Sequence, residues 1–328
     1  MAFGIPHLDV KLELSIRSDM KRVEELLRQQ IQGDYPLVIE TSRHLVEAGG
    51  KRLRPLLTLL AAQFGDPNRP EIIEAAVVCE LTHLATLYHD DVMDEAPLRR
   101  GVKSANARWN NTVAILTGDY LFAKASDLLA DLGPQAVRLQ ARTFERLVIG
   151  QITETQGSTS GLSALNHYLS VVADKTGSLI ATSARFGALL SGATPEIVES
   201  LTRFGEKIGV VFQLADDIID IASESNESGK TPGTDLREGV PTLVTLLVLE
   251  SKDSADRELR DILSAPITDE QVVTNTLAQL RSHVAMESSR KILQQYADEA
   301  RLDLNNLPDG AAKRALIELC ETIITRTS

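Results

Sequence analysis

Residues 71–94 read EIIEAAVVCELTHLATLYHDDVMD. The run is almost wholly apolar from Ile72 to Tyr88, and it ends in Asp90-Asp91-Val92-Met93-Asp94. Its length exceeds that of an ordinary strand, its spacing is helical, and Pro97 follows as expected after a helix terminus. On a helix, positions i and i+4 lie one above the other, so Asp90 and Asp94 share a face. A second copy of the signature, Asp216-Asp217-Ile218-Ile219-Asp220, lies 126 residues on, again in an apolar run. Carboxylates in an apolar wall are costly unless paired or bound to metal. Two such clusters facing each other across a cavity would make a site for hard divalent cations and a polyanion.

Outward from this stretch the helical pattern continues. It predicts helices near 10–32, 37–48, 55–64, 112–131, 134–156, 162–191, 195–221, 241–249, 269–302 and 310–324. Pro55 suits a first helical turn. Residues 222–240, rich in Ser, Gly, Glu and Pro, read as a long exposed loop after the second acidic motif, and long loops are often lids. No alternating strand of useful length and no solenoid repeat stands out. The expectation is one all-α domain over 1–328.

Composition agrees. The 328 residues suffice for a large core, and 43% hydrophobic with 24% charged is ordinary for a soluble globular chain. Aromatics are only 4%, which favours helices over a sandwich or barrel. The net charge of -12 argues against nucleic acid as a partner, though not against a small anionic substrate. Cys79 and Cys320 sit in helical apolar patterns and read as core residues in a reducing compartment. No apolar run reaches the ~20 residues of a transmembrane helix, and residues 1–6 lack a signal-peptide pattern. A cytoplasmic protein without a transmembrane segment is expected.

Several residues beside the acidic motifs suit anion chemistry. His83 lies seven residues before Asp90, so nearly on the same face, and Ala85 and Thr86 lie one turn below it. Arg99 and Arg100 follow the helix. Guanidinium groups grip phosphate through a planar fork, and Mg²⁺ takes one or two carboxylates plus phosphate oxygens and water. Gly49-Gly50-Lys51-Arg52-Leu53-Arg54-Pro55 places three cations in four positions at a helix start, with glycines that let backbone approach a ligand. A solvated turn is the bland reading of that segment, and the acidic pair tips the balance. Lys175, Thr176 and Gln213 are polar groups in apolar helical patterns, either satisfied core residues or groups facing a reacting centre. Lys230 lies in the 222–240 loop and could close over phosphate.

Taken in order, these motifs resemble one family. Gly49–Pro55, His83, Asp90–Asp94, Arg99-Arg100-Gly101, Gly118-Asp119, Lys175-Thr176, Phe212-Gln213, Asp216–Asp220 and Gly229-Lys230 are similar to the trans-isoprenyl diphosphate synthases, also called polyprenyl synthetases. The ordered set spans nearly the whole chain. The resemblance implies a helical bundle around a deep central cavity, usually a homodimer. It implies condensation of isopentenyl diphosphate with an allylic diphosphate, head to tail, through an allylic carbocation. It also implies three Mg²⁺ ions per site. Asp90, Asp94 and Asp216 then correspond to the principal ligands, with Asp91, Asp217 and Asp220 in support. Arg99, Lys175 and Lys230 correspond to contacts with the allylic diphosphate. Lys51, Arg54, His83 and Arg100 correspond to the isopentenyl diphosphate site, with Arg52 nearby. Thr176 and Gln213 correspond to groups facing the developing cation. One departure is Val240, where bacterial members commonly have lysine, so a phosphate contact is in question.

Ala85 and Thr86 stand where members with short products usually carry a bulky aromatic. Small residues leave the tail's path open, which favours a product longer than fifteen carbons, with thirty to fifty preferred and geranylgeranyl (twenty carbons) the alternative. Deeper residues near Leu121, Phe122 and Ser126 could set the shorter limit. Three rivals remain: a class I terpene cyclase, a subunit of a heteromeric synthase, and a lipid-binding helical protein. A cyclase has no need of a second diphosphate site, a regulatory subunit can lose its acidic motifs, and a mere lipid carrier leaves six motif carboxylates unexplained.

Overall fold

The computed structural model describes residues 5–157, 161–223 and 232–327. These are overwhelmingly helical, as the spacing of apolar residues requires. The helices are α1 (Val10–Gln30), α2 (Pro36–Glu47), α3 (Leu53–Ala62), α4 (Glu71–Met93), α5 (Ala105–Arg108), α6 (Asn111–Leu132), α7 (Pro134–Gln156), α8 (Ala164–Val172) and α9 (Ser178–Leu190). They continue with α10 (Pro195–Ala222), α11 (Thr234–Glu238), α12 (Leu243–Leu249), α13 (Arg257–Leu263), α14 (Glu270–Ser282), α15 (Val284–Asp303) and α16 (Ala311–Thr325). They gather in two compact units. The first takes in residues up to 145, 179–205 and 303–318, and the second takes in 146–178, 206–302 and the residues from 319 on.

In the first unit α4 is the central rod, packed by α1, α3 and α6. It is buried nearly all round, including Val77, Val78, Cys79 and Leu81, which is why it lacks an amphipathic stripe. α1 has one: Leu12, Ile16, Met20, Val23 and Leu27 are buried at helical spacing, each such side chain contributing about 2 kcal/mol. Asp9 caps α1 by accepting from the amides of Lys11 and Leu12, both at 3.1 Å. A Cβ on Gly187 of α9 would stand 2.0 Å from the Thr58 carbonyl oxygen, so only glycine lets α9 lie this close to α3.

In the second unit α12 packs on α8 and α13. Thr242 and Thr245 form a capping box at the start of α12.

Local differences from the sequence reading have identifiable causes. The expected helix over 162–191 is three pieces, with a π-turn at Ala173–Gly177 between α8 and α9. The expected helix over 269–302 breaks at His283, whose extended backbone and Nδ1, accepting from the Ala285 amide at 3.0 Å, start α15 afresh. No glycine or proline marks that break. Between α12 and α14 lie a 3₁₀ turn, Ser254–Asp256, and α13, for which the sequence reading names no element. The expected loop over 222–240 includes α11, and its residues 224–231, with Gly229 and Lys230, lie outside the described residues.

After α4 comes a small hairpin. Strands β1 (Leu98–Arg99) and β2 (Val102–Lys103) pair antiparallel, Leu98 with Lys103 and Arg99 with Val102. Its two-residue turn is Arg100-Gly101, with φ of +53° and +78°. Positive φ at both positions matches the right-handed twist of a hairpin. Arginine at the first of them is unusual and places Arg100 at the site described next.

Candidate active site

The first unit carries the earlier acidic motif. Asp94 is the C-cap residue of α4 and is exposed. Asp90, one turn earlier, is partly exposed. Asp91 differs from both. It is fully buried, and its Oδ1 accepts from Arg99 Nε at 2.6 Å. Its Oδ2 is buried with no hydrogen-bond partner among the described residues. Burial raises the Asp91 carboxyl above its usual range, and Arg99 draws it back. Asp91 therefore fixes Arg99 at the end of α4, whose second guanidinium nitrogen lies 4.0 Å from Asp94.

The 49–54 segment forms the next wall. Gly49 and Gly50 have φ of +84° and +144°. A Cβ on Gly50 would lie 2.9 Å from the guanidinium carbon of Arg100. The glycine thus admits a protein guanidinium against the backbone, where sequence reading had supposed a ligand. Arg100 donates to the carbonyl of Leu45 at 2.9 Å and to that of Gly49. Arg52, itself at φ +48°, is buried and donates to Glu24 at 2.6 Å and to Glu80 at 2.7 Å. Arg54 Nε is buried without a partner among the described residues, whereas Lys51 is exposed. His83 is partly buried, and its pKa falls well below the usual range through burial first and then Arg54, Arg100, Arg99 and Arg52. His83 thus feels the charge of four guanidinium groups, a cationic setting that suits an anion.

Below Asp90 on α4, Ala85 is fully buried and Thr86 nearly so, with Thr86 Oγ1 donating to the His83 carbonyl at 2.8 Å. A Cβ on Gly118 of α6 would collide with His89 and stand 3.1 Å from the Ala85 carbonyl. Residues 85 and 89 share a face, so Ala85 lies on the side of α4 that meets α6.

The second unit holds the other motif. Thr176, in the π-turn, donates to Gln213 Oε1 at 3.4 Å, and Gln213 Nε2 donates to Asp217 Oδ1 at 2.9 Å. The Tyr168 hydroxyl donates to Asp217 Oδ2. Asp217 is buried, which pushes its pKa up to about 6 against those two hydrogen bonds. Asp217 thus spends both oxygens on protein groups, whereas Asp91 spends only Oδ1. Asp220 accepts from the amides of Thr234 and Asp235, each at 3.4 Å, at the start of α11. Asp216 lies 3.5 Å from the Arg326 guanidinium. Val240 is exposed.

Lys175 pairs with Glu154 of α7 at 2.5 Å. The π-turn widens the helix there, a distortion common at functional sites. Gly150 of α7 permits it, since a Cβ would lie 2.7 Å from the Lys175 amide nitrogen. Gly150→Ala is expected to lower stability by about 1–3 kcal/mol through overpacking, despite alanine's better helix propensity. Thermal unfolding of the variant checks this, and an unchanged or higher Tm would refute the close packing.

Glu24, Glu80, Tyr168 and Arg326 were missed by sequence reading. Only Glu80 left a trace, as an acid set between Val77-Val78-Cys79 and Leu81 in the apolar run of α4.

Among the described residues, no group of three or more His, Cys, Asp or Glu could hold a metal ion by itself. The two exposed or partly exposed carboxylates Asp90 and Asp94 are hard oxygen donors and fit a cation completed by water and phosphate oxygens, as Mg²⁺ prefers.

The polyprenyl synthetase family model matches residues 35–280. The chain belongs to the polyprenyl synthetase family. It is 48% identical over 324 residues to the nonaprenyl diphosphate synthase of Mycobacterium tuberculosis, covering 98% of this chain and 97% of that protein. It is 35% identical to heptaprenyl diphosphate synthase component 2 of Bacillus subtilis, over 96% of this chain and 91% of that one. Among solved structures, it is similar to geranylgeranyl pyrophosphate synthase from Corynebacterium glutamicum complexed with calcium and isoprenyl diphosphate. The TM-score there is 0.87 at 44% identity, over 97% of this chain and 98% of the other. Membership makes this polyprenyl synthetase homologue a prenyltransferase. No helix among the described residues is long and apolar enough to cross a membrane.

Proposed function

We propose that this prenyltransferase joins isopentenyl diphosphate to an allylic diphosphate, head to tail, and repeats the step to give an all-trans polyprenyl diphosphate. The observation that carries the reading is the partition of cationic groups. Arg99 is held by buried Asp91 at the acidic end of α4, while Arg100, held by the Leu45 and Gly49 carbonyls, and Arg54, with its Nε buried, extend the cationic surface to the 49–54 turn. Two diphosphates need two such places, and a cyclase needs one.

In this reading Asp90, Asp94, Asp216 and Asp220 hold the divalent cations, three Mg²⁺ per site. Bound Mg²⁺ supplies charge neutralisation of the leaving diphosphate. Asp91 and Asp217 act through Arg99 and Gln213, the groups they hold. Arg99 and Lys175 bind the allylic diphosphate, and Lys230 joins them. Lys51, Arg54, Arg100 and neutral His83 bind isopentenyl diphosphate, and Arg52 positions that wall. The Gln213 Oε1 dipole and the Thr176 hydroxyl face the allylic carbon as positive charge develops, a preorganised stabilisation that water cannot match without destroying the cation. The isopentenyl double bond then attacks, a proton leaves to the departed diphosphate, and the chain is five carbons longer.

Tyr168→Phe is expected to lower kcat about tenfold, since a hydrogen bond to a charged group contributes about 1.5 kcal/mol or more. Steady-state kinetics check it, and an unchanged kcat would remove Asp217 from the positioning role.

Product length is proposed as thirty to fifty carbons, with twenty as the alternative. The support is the pair of small residues Ala85 and Thr86, with a relative named for a nonaprenyl product inside that range and one named for the geranylgeranyl alternative. Exposed Ile115 and Leu116 on α6 support a homodimer, because a second copy would cover them. The relative named as a component 2 favours a second reading, in which a partner chain is needed. The test is release of diphosphate by the purified chain with both substrates. Release that requires both establishes condensation, release from the allylic substrate alone indicates cyclisation or hydrolysis, and none at all points to a missing partner.

A further inference from the structure

Glu80 is 2% exposed, in the middle of the buried helix α4, and its Oε1 is shared. It accepts from one terminal nitrogen of Arg52 at 2.7 Å and lies 3.9 Å from one of Arg100. Arg52 is held from the other side by Glu24 of α1. Its remaining terminal nitrogen donates to the Val46 carbonyl at 3.1 Å. All three nitrogens of Arg52 are thus engaged by protein, which marks it as a structural group of this wall. Arg100 is pressed between Glu80, the Leu45 and Gly49 carbonyls and the bare face of Gly50. Burial and the neighbouring Arg52 and Arg99 lower the Arg100 pKa, and Glu80 is the chief group raising it.

A buried carboxylate beside a polyanion site is a liability unless it organises something. Coulomb's law alone says that deleting it should strengthen diphosphate binding. Its geometry says the opposite: without the anion, the guanidinium groups repel one another and the turn at 49–54 loses its strut.

We propose that Glu80, with Glu24, is the positioning residue of the isopentenyl diphosphate site, holding Arg52 as a strut and Arg100 in its ligand-facing pose. The proposal rests on the reading that Arg54, Arg100 and His83 bind isopentenyl diphosphate. Outer partners that orient ligating groups are worth roughly 10- to 100-fold in affinity at metal centres, and the same order is expected here.

The test compares wild type with Glu80→Gln, which keeps shape and removes charge. KM for isopentenyl diphosphate and its dissociation constant by titration calorimetry are expected to rise by roughly 10-fold or more. KM for the allylic diphosphate and kcat at saturation are expected to stay within about threefold, which a general loss of structure would not produce. Unchanged or tighter isopentenyl diphosphate binding would overturn the proposal. So would a parallel loss for both substrates. If Glu80→Gln does not fold, Glu24→Gln carries the test, since that side chain is 25% exposed. Its KM should move in the same direction by a smaller factor, and no movement would overturn the proposal. A wild type that neither binds isopentenyl diphosphate nor elongates overturns the functional reading and this role with it. A wild type that does both, with variants that bind as tightly, overturns the role of Glu80 alone.

Discussion

An Asp94→Asn variant is expected to lose roughly a hundred- to a thousandfold in kcat, the scale of removing one preorganised group that stabilises transition-state charge. Its fold should survive, because the Asp94 side chain is 43% exposed and its ion pair with Arg99 is long, at 4.0 Å. Asn keeps the size and one oxygen but loses the charge that a hard cation requires. Asp91→Asn is a revealing contrast. Asp91 is buried and holds Arg99 at 2.6 Å, so its replacement unpairs a guanidinium and lowers stability as well as turnover. Chelation with EDTA should silence the wild type, and excess Mg²⁺ should restore it fully. Excess metal should restore Asp94→Asn only in part. Equal turnover by Asp94→Asn and wild type would remove this end of α4 from the reaction.

Ala85→Phe is expected to shorten the product, to twenty carbons or fewer. Each buried CH₂ contributes roughly 0.8 kcal/mol, so an apolar path rewards every added isoprene unit until something blocks it. Ala85 has no exposed surface and Gly118 leaves α6 close to its backbone, so a ring at 85 must push into neighbouring space. Overpacking of that kind costs about 1–3 kcal/mol, and a lower Tm is expected alongside the shorter product. Thr86→Phe lies on the same side of α4 as Asp90, one turn away, and should shorten the product as well. Mass spectrometry of the products checks both. Product lengths equal to those of wild type in both variants would move the wall elsewhere in the molecule.

Helices such as α1 were legible because one-sided burial imposes the 3.6-residue period on the sequence, whereas α4, buried nearly all round, was legible from the length of its apolar run. Both acidic motifs were legible because carboxylates stand out in apolar runs. Their internal division of labour was not. Asp90, Asp91 and Asp94 are chemically identical in a sequence, and only packing reveals that Asp91 is buried against Arg99. Asp217 is engaged in the same way by Tyr168, which lies 49 residues earlier, beyond any local pattern. Glu80 meets Arg52 across 28 residues, and its isolation among apolar neighbours was the only local hint. The glycines at 49 and 50 were recognised as permissive, but what Gly50 makes room for, Arg100, depends on a hairpin turn that begins with an unusual arginine. The break at His283 was hidden because a histidine ring does the capping that Ser, Thr, Asp or Asn usually does.

The central claim is that one purified chain elongates an allylic diphosphate with isopentenyl diphosphate. It is tested most directly by offering the chain Mg²⁺, labelled isopentenyl diphosphate and, in separate reactions, dimethylallyl, geranyl, farnesyl or geranylgeranyl diphosphate, and weighing the products by mass spectrometry. A ladder of linear all-trans diphosphates, each five carbons longer than the last and extending beyond fifteen carbons, is the expected result. Cyclic hydrocarbons, or starters recovered unextended from folded protein, would contradict it.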